Sequence, residues 1–362
     1  MALSFSSLQD MFDHGHDSVI DVRSPAEFAE DHVPGAINLP VLSNEERAEV
    51  GTIYVQQSPF LARKIGAAMV FRNAARHIEE TLSQQEGGWR PLVYCWRGGQ
   101  RSGSFTYLLQ QIGWRAEMIK GGYQSYRRLV HAMLYETDLP HRLVLLDGYT
   151  GTAKTDLLQH VAEAGGQVLD LEAMANHRGS LLGDMPGDQP SQKAFESALA
   201  GALVRLDPAR PVLVEAESNK IGARIIPPAL WSLMKQAPRI ELSAPVEERC
   251  RYLMRSYRDS LPEPEALSET LDRLRAHRSN AVVDGWQELL ATGDMAGLAS
   301  SLMVQHYDPA YQSSRRHIGA GVMAEVALDS LEPTALCAAA GTVLKHLDAV
   351  QGLRPDMEPS AE

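Results

Sequence analysis

The sequence predicts an α/β protein built as two domains, the second ending in a helical part. Three observations carry that expectation. Short apolar runs alternate with helix-period segments along most of the chain. Two of those runs enter glycine-bearing loops that lead into helices, PLVYCWRGGQR at 91–101 and HRLVLLDGYTGTAKT at 141–155. The length of 362 residues exceeds what one hydrophobic core comfortably serves.

The elements follow in order. SVIDVRS at 18–24 is a short apolar run ending in a turn, as for a buried strand, and PAEFAEDH after it is a short helix with Pro25 in its first turn. VPGAINLP is a Pro/Gly turn leading to another short strand. Leu61, Ile65, Met69, Ile78 and Leu82 recur at helical spacing and predict a helix from 60 to about 82. PLVYCW is a strand running straight into the loop RGGQR. Tyr123, Tyr126, Leu129, Val130, Met133 and Leu134 mark an amphipathic helix that closes a first domain at 1–137. A second domain, 138–353, begins with a strand at Arg142, and its next helix, DLLQHVAEA, stops at Gly165 and Gly166. Further strands are expected in QVLDLE, PVLVEAE and RIELSA, giving a mostly parallel sheet with helices on both faces. From Val246 the pattern turns mostly helical, and 354–362 form a polar tail.

Composition narrows the class. Hydrophobic residues make up 44% and charged residues 22%, an ordinary globular balance. No apolar stretch reaches the roughly 20 residues of a membrane span, and the N-terminus carries acids where a signal peptide is basic. The expectation is a cytoplasmic protein without a membrane partner; the sequence does not specify its oligomeric state. Cys95, Cys250 and Cys337 form no CxxC pair, and no His cluster has zinc spacing. A formal net charge of −12 repels nucleic acid on average, so RNA binding would need local basic patches. Arg273, Arg275 and Arg278 in RLRAHR form one, helical spacing putting Arg275 and Arg278 on one face; the alternative is a solvated face.

Cys95 stands at the end of an apolar strand and opens CWRGGQRS. Two glycines let the loop turn its N–H groups inward, Arg97 and Arg101 add positive charge, and the following helix offers its N-terminus. That arrangement favours a reactive sulfur facing an anion over a buried structural Cys. Trp96 beside it either packs on its domain or stacks on a base. The second loop, GYTGTAKT at 148–155, lies where a P-loop belongs: Gly148, Gly151 and Thr152 would let its backbone cradle phosphates, Lys154 would neutralise them, and Thr155 would ligate magnesium. Ala153 stands in place of the motif's last glycine, which favours a diphosphate over a tightly held nucleoside triphosphate. Glu215 and Glu217, ending a strand, are either a second magnesium ligand or plain strand-end carboxylates. Asn176, His177 and Arg178 follow a strand end near the presumed phosphate site, as RNA or phosphate contacts or as structural residues.

IDVRSPAEFAEDHVPGAINLP followed by the strand, cysteine and arginine loop resembles a rhodanese domain. The resemblance assigns Cys95 to carrying sulfur or selenium, and Asp21, Val22 and Arg23 to structure. Five residues separate Cys95 from Arg101, the longer loop of rhodanese-fold phosphatases, which suits a tetrahedral anion such as selenophosphate. A rhodanese domain followed by a P-loop NTPase-like α/β domain resembles the tRNA 2-selenouridine synthases. SNEERAEVGTIY, LDLEAMANHRGS, VEAESNKIG and QHYDPAY also look like that family's segments. The resemblance implies an enzyme acting on tRNA with 2-thiouridine at the wobble position. Geranyl diphosphate would alkylate the sulfur, and selenium from selenophosphate would then displace the geranylthio group. Both are co-substrates, no tightly bound cofactor is expected, and the selenophosphate-producing enzyme is a natural partner. Cys95 would either carry selenium or position selenophosphate. The alternatives are a rhodanese-fold phosphatase or sulfurtransferase with an attached nucleotide-binding module, and a non-catalytic nucleotide sensor.

Overall fold

The structure, a computed structural model, describes residues 2–178, 185–258, 263–315 and 321–352. The tail expected at 354–362 lies outside them, as do Gly179 and Ser180 of ANHRGS. The chain divides into two compact units, one of residues 1–138 with 190–205, the other of 139–189 with 206–362.

The strands of the first unit are β1 (Ala2–Leu3), β2 (Ser18–Asp21), β3 (Ile37–Asn38), β4 (Pro91–Tyr94) and β5 (Glu117–Ile119), in the order β1-β5-β4-β2-β3, all parallel. A central strand of a parallel sheet is covered on both faces, so it is apolar throughout rather than alternating. That is why PLVY of β4 is wholly buried. The long helix Pro59–Glu80 starts where Ser58 Oγ accepts from Leu61 N (3.3 Å) with Pro59 at the first position, a cap worth about 1 kcal/mol. Ser43 and Glu46 close a reciprocal capping box ahead of Asn44–Gln56, which explains the SNEER text. Helix Gly122–His131 runs on as a π-helical turn, Ala132–Glu136, one continuous amphipathic element as expected.

The structure differs from the expected domain division in one segment. Helix Gln192–Arg205, placed above in the second domain, belongs to the first unit. It is a largely buried helix anchored by polar groups: Ser197 Oγ donates to Asp31 (3.0 Å), Tyr135 Oη donates to Glu196 (2.7 Å), and Arg127 pairs with Glu196. Buried carboxylates are tolerated only with such partners, so Asp31 and Glu196 fix where this helix docks.

The strands of the second unit are β6 (Arg142–Gly148), β7 (Gln167–Leu169), β8 (Pro211–Glu215), the short pair β9 (Lys220–Ile221) and β10 (Arg224–Ile225), β11 (Arg239–Ser243) and β12 (Val322–Ala327). Five of them form a parallel sheet, β12-β11-β6-β8-β7, and β9 and β10 form an antiparallel hairpin. β6 is central, hence the unbroken run LVLL, and its C-terminal end delivers the glycine loop. QVLDLE is strand only as far as Leu169, because the Asp170 side chain accepts from Ala173 N (2.8 Å) and starts the helix Leu171–Ala175. The helical tract after Val246 is interrupted by β12, an edge strand whose VMAEVA is only partly buried and so lacks a clear period. Two apolar clusters fill the unit. One lies at the sheet, including Val144, Leu157, Ile240 and Val343; the other lies among the helices, including Leu267, Leu271, Val283 and Trp286.

Candidate functional site

The first site is built at the end of β4. Cys95 is 3% exposed, and its sulfur accepts from the Ser102 hydroxyl at 3.3 Å. Gly99, with φ 74°, caps helix Gln100–Ile112, whose first turns carry Arg101 and Ser102. The loop's far wall is Gly122: a Cβ there would meet Cys95 O at 2.3 Å, so no other residue lets Tyr123 N donate to Cys95 O (2.8 Å). Trp96 is half-buried and stacked on Tyr123 at 5.3 Å between centroids, the packing alternative for that residue. Tyr123 in turn donates to Asp31 (2.7 Å) and lies 4.0 Å from the Arg23 guanidinium. Arg23 is held on Asp21 (2.6 Å) and on Asp31 O, so DVR is structural as expected.

Arg101 departs from its expected role. Its guanidinium makes two hydrogen bonds to Glu27, at 2.8 and 3.2 Å. Burial opposes the charge on Glu27, but the Arg101 hydrogen bond and charge outweigh it and hold the carboxyl down at about 2. The positive charge of Arg101 is thus largely spent on Glu27, leaving Arg97, which is exposed, as the loop's outward cation. The acid was invisible because Glu27 lies 74 residues from Arg101.

The second site lies at the end of β6. Asp147 caps the strand end by accepting from Gly148 N (2.9 Å) and from Tyr311 Oη (2.6 Å), with Arg239 at 3.5 Å. The loop 149–153 then turns through Gly151 at φ 84° and Ala153 at φ 58° into helix Lys154–Glu163. An L-residue in the left-handed region costs roughly 1–2 kcal/mol, so Ala153 strains the turn where the motif has glycine. Thr152 is buried and donates to Tyr149 O (2.8 Å), which fixes the loop rather than a ligand. Lys154 Nζ donates to Gly148 O at 2.8 Å and lies 5.6 Å from the Tyr311 ring.

A cavity of about 610 Å³ opens over this loop. Its wall carries five carboxylates (Asp147, Asp156, Asp170, Glu172, Glu217) against three permanent cations (Lys154, Arg178, Arg239). Thr155 Oγ1 donates to Glu172 Oε2 at 3.1 Å, so the acid beside Thr155 is Glu172 and not Glu215. Glu215 is fully buried beneath the cavity, where one oxygen accepts from Leu171 N at 2.8 Å; burial first and Asp170 second push its carboxyl well up. Burial and then the charge of Glu217 push Glu172 up to about 8, and burial also raises Glu217. Among the described residues no three His, Cys, Asp or Glu side chains gather into a ready metal cage.

Arg178 lines the cavity with its guanidinium 4.4 Å from the Tyr257 ring. Asn176, by contrast, is a left-handed helix cap whose amide donates to Pro186 O at 3.1 Å, and His177 is buried; both are structural. RLRAHR does not continue as one helix. The α-helix ends at Arg273, a short 3-10 turn covers Leu274–Ala276, and Arg278 lies beyond it. Arg275 pairs with Asp272 (3.0 Å) and Asp284 (2.8 Å), and Arg278 donates to Gln305 O (2.9 Å) and His306 O (3.0 Å). Only Arg273 of the three is exposed; the other two are half-buried. Sequence reasoning missed Asp147, Glu172, Arg239 and Tyr311. Tyr311 lies in QHYDPAY and Glu172 in LDLEAMANHRGS, segments that carry the family resemblance without revealing these contacts.

Comparison with known proteins agrees with this fold. A rhodanese-like domain model matches 4–129, and a model described as the tRNA 2-selenouridine synthase AAA domain matches 141–270. Proteins named tRNA 2-selenouridine synthase are similar at 35% identity in Nitrosomonas europaea and 37% in Hahella chejuensis, each alignment covering 66% of this chain and 63% of the relative. The chain thus spans less than two thirds of those two relatives. Similarity to the protein of that name from Chromohalobacter salexigens, at 33% identity, covers 81% of this chain and 87% of the relative. With a rhodanese domain, the synthase-type second domain and a relative matched over most of its length, the chain belongs to the tRNA 2-selenouridine synthase family.

Proposed function

We propose that this chain is an enzyme that converts wobble 2-thiouridine of tRNA to 2-selenouridine in two steps, one at each site. In the first, the thiouridine sulfur attacks C1 of geranyl diphosphate. The C–O bond breaks, diphosphate leaves, and the base loses its N3 proton. The alkylated sulfur is then a competent leaving group, which the thiocarbonyl sulfur is not. In the second, selenium of selenophosphate bonds to C2 and geranylthiol departs with a proton; water then opens the Se–P bond, giving phosphate and 2-selenouridine.

The observation that carries this reading is the pairing, in one chain, of a cysteine loop with a phosphate loop under a large cavity. Lys154, at the first turn of its helix, is suited to stabilise the diphosphate leaving group. Arg178, lining the same cavity, supplies a second positive charge. A divalent cation accompanying the diphosphate would be held by Thr155 and Glu172, whose oxygens meet at 3.1 Å, and would draw Glu172 into its ionised form. Magnesium there would offset charge on the diphosphate. The second step is assigned to Cys95, with Arg97 as the exposed cation for the incoming anion. For tRNA, Arg273 remains a contact residue, whereas Arg275 and Arg278 are engaged internally.

The test is mass spectrometry of tRNA nucleosides after incubation with geranyl diphosphate and then selenophosphate. S-geranyl-2-thiouridine should appear first and 2-selenouridine second. Release of phosphate from an aryl phosphate, with no change in thiolated tRNA, would replace this reading by the phosphatase.

A further inference from the structure

Beside the phosphate cavity, a second and smaller cleft opens among three helices, Val246–Ser256, Pro264–Arg273 and Met295–Leu302. Its volume is about 70 Å³, below the ~150 Å³ of an apolar cavity that takes benzene, so it seats part of a hydrocarbon chain, the rest lying along the lining it shares with the larger cavity. Leu253, Met254, Leu267, Met295, Leu298 and Leu302 supply most of its wall, and almost no polar atom faces it. The two cavities are continuous in their lining: Thr150 of the phosphate loop, Leu253, Tyr257 and Tyr307 border both.

We propose that this cleft binds the hydrocarbon tail of an isoprenyl diphosphate whose head lies on the phosphate loop. The proposal deepens the function above and rests on its assignment of a diphosphate to that loop. A nucleoside is the wrong occupant, because a base and ribose buried in this wall would leave their polar groups unpaired. A branched, unsaturated chain leaves none. The methionines Met254 and Met295 suit it further, since a thioether side chain repacks around an irregular apolar guest. Thr150 places the cleft's border within the phosphate loop itself, so head and tail need no long spacer between them. The strained Ala153 turn, less suited to a triphosphate, leaves the tail as the source of selectivity.

Each buried methylene is worth roughly fourfold in affinity, so chain length is the readout. Calorimetric titration of the full-length protein, with magnesium present, should rank geranyl diphosphate above dimethylallyl diphosphate, and that above inorganic diphosphate. The first and last should differ by a hundredfold or more. Ala299, half-buried in the cleft wall, gives a filling variant. Ala299→Phe should bring geranyl diphosphate down toward inorganic diphosphate while leaving the latter's affinity unchanged. Met254→Gln, which adds an unpaired amide to the wall, should do the same and serves if the first variant does not fold. Equal affinity for all three ligands in the wild type, or unchanged chain-length preference in a folded variant, overturns the proposal. Failure of even inorganic diphosphate to bind the wild type overturns instead the assignment of the phosphate loop on which it rests.

Discussion

Replacing Glu172 by Gln should make the protein more stable in alkaline solution. Glu172 is buried beside Glu217, and its carboxyl is raised from 4.5 to about 8. In the unfolded chain the group ionises near its ordinary value. Below that pH it is protonated in both states and costs nothing. As pH rises, the unfolded state gains a charge that the folded state resists, so stability falls until the folded group also ionises near 8. At 1.36 kcal/mol per pH unit the loss is of order a few kcal/mol. In a unit of this size each kcal/mol moves the melting temperature by about 2–4 °C. Gln keeps the size of the side chain and an acceptor for the Thr155 hydroxyl but carries no charge. Thermal melts from pH 5 to 9 should show the wild type losing stability towards pH 9 and Glu172→Gln losing much less. Magnesium should restore much of the wild-type loss and little of the variant's, because Thr155 and Glu172 are its proposed ligands. A Gln variant that melts below the wild type at pH 9, or that keeps the same pH dependence, refutes the reasoning.

Three other perturbations follow from the geometry. Ala153→Gly removes left-handed strain of roughly 1–2 kcal/mol but gives up a buried methyl and adds unfolded-state entropy, each worth about 1 kcal/mol. Stability should therefore change little while affinity for a nucleoside triphosphate rises; equal affinity in both proteins would show that the Ala153 turn does not discriminate. Arg278→Ala should lower stability by on the order of 1 kcal/mol, because the carbonyls of Gln305 and His306 lose their donor. Arg273→Glu is the cleaner RNA probe, since Arg273 is exposed, and it should flatten the log–log salt slope of tRNA binding by roughly 0.7.

Much of this architecture could be read from local pattern. β4 and β6 are central strands, and centrality makes them continuous apolar runs that stand out against the rest. The loops after them carry glycines whose positive φ the backbone demands, as at Gly99 and Gly151. What escaped was set by partners distant in sequence. Nothing near Arg101 announces that Glu27 will neutralise it, and nothing in PVLVEAE says that Glu215 is buried against Leu171 N while Glu217 lines the cavity. Helix Gln192–Arg205 reads as an ordinary member of the second domain, because its attachment to the first rests on Glu196 and Ser197 meeting Arg127, Tyr135 and Asp31. RLRAHR was misread for a related reason: spacing on a helix predicts a shared face only while the helix continues, and this one ends at Arg273.

The central claim is that the two loops divide the reaction, with the phosphate loop serving geranylation and Cys95 serving selenation. The most direct measurement supplies pre-geranylated tRNA and selenophosphate to folded Lys154→Ala and Cys95→Ala proteins and analyses the nucleosides by mass spectrometry. Lys154→Ala should form 2-selenouridine from this substrate although it fails to geranylate 2-thiouridine tRNA, whereas Cys95→Ala should geranylate normally and form no 2-selenouridine. Full selenation by Cys95→Ala, or no selenation by a Lys154→Ala protein that still binds tRNA, would contradict the account.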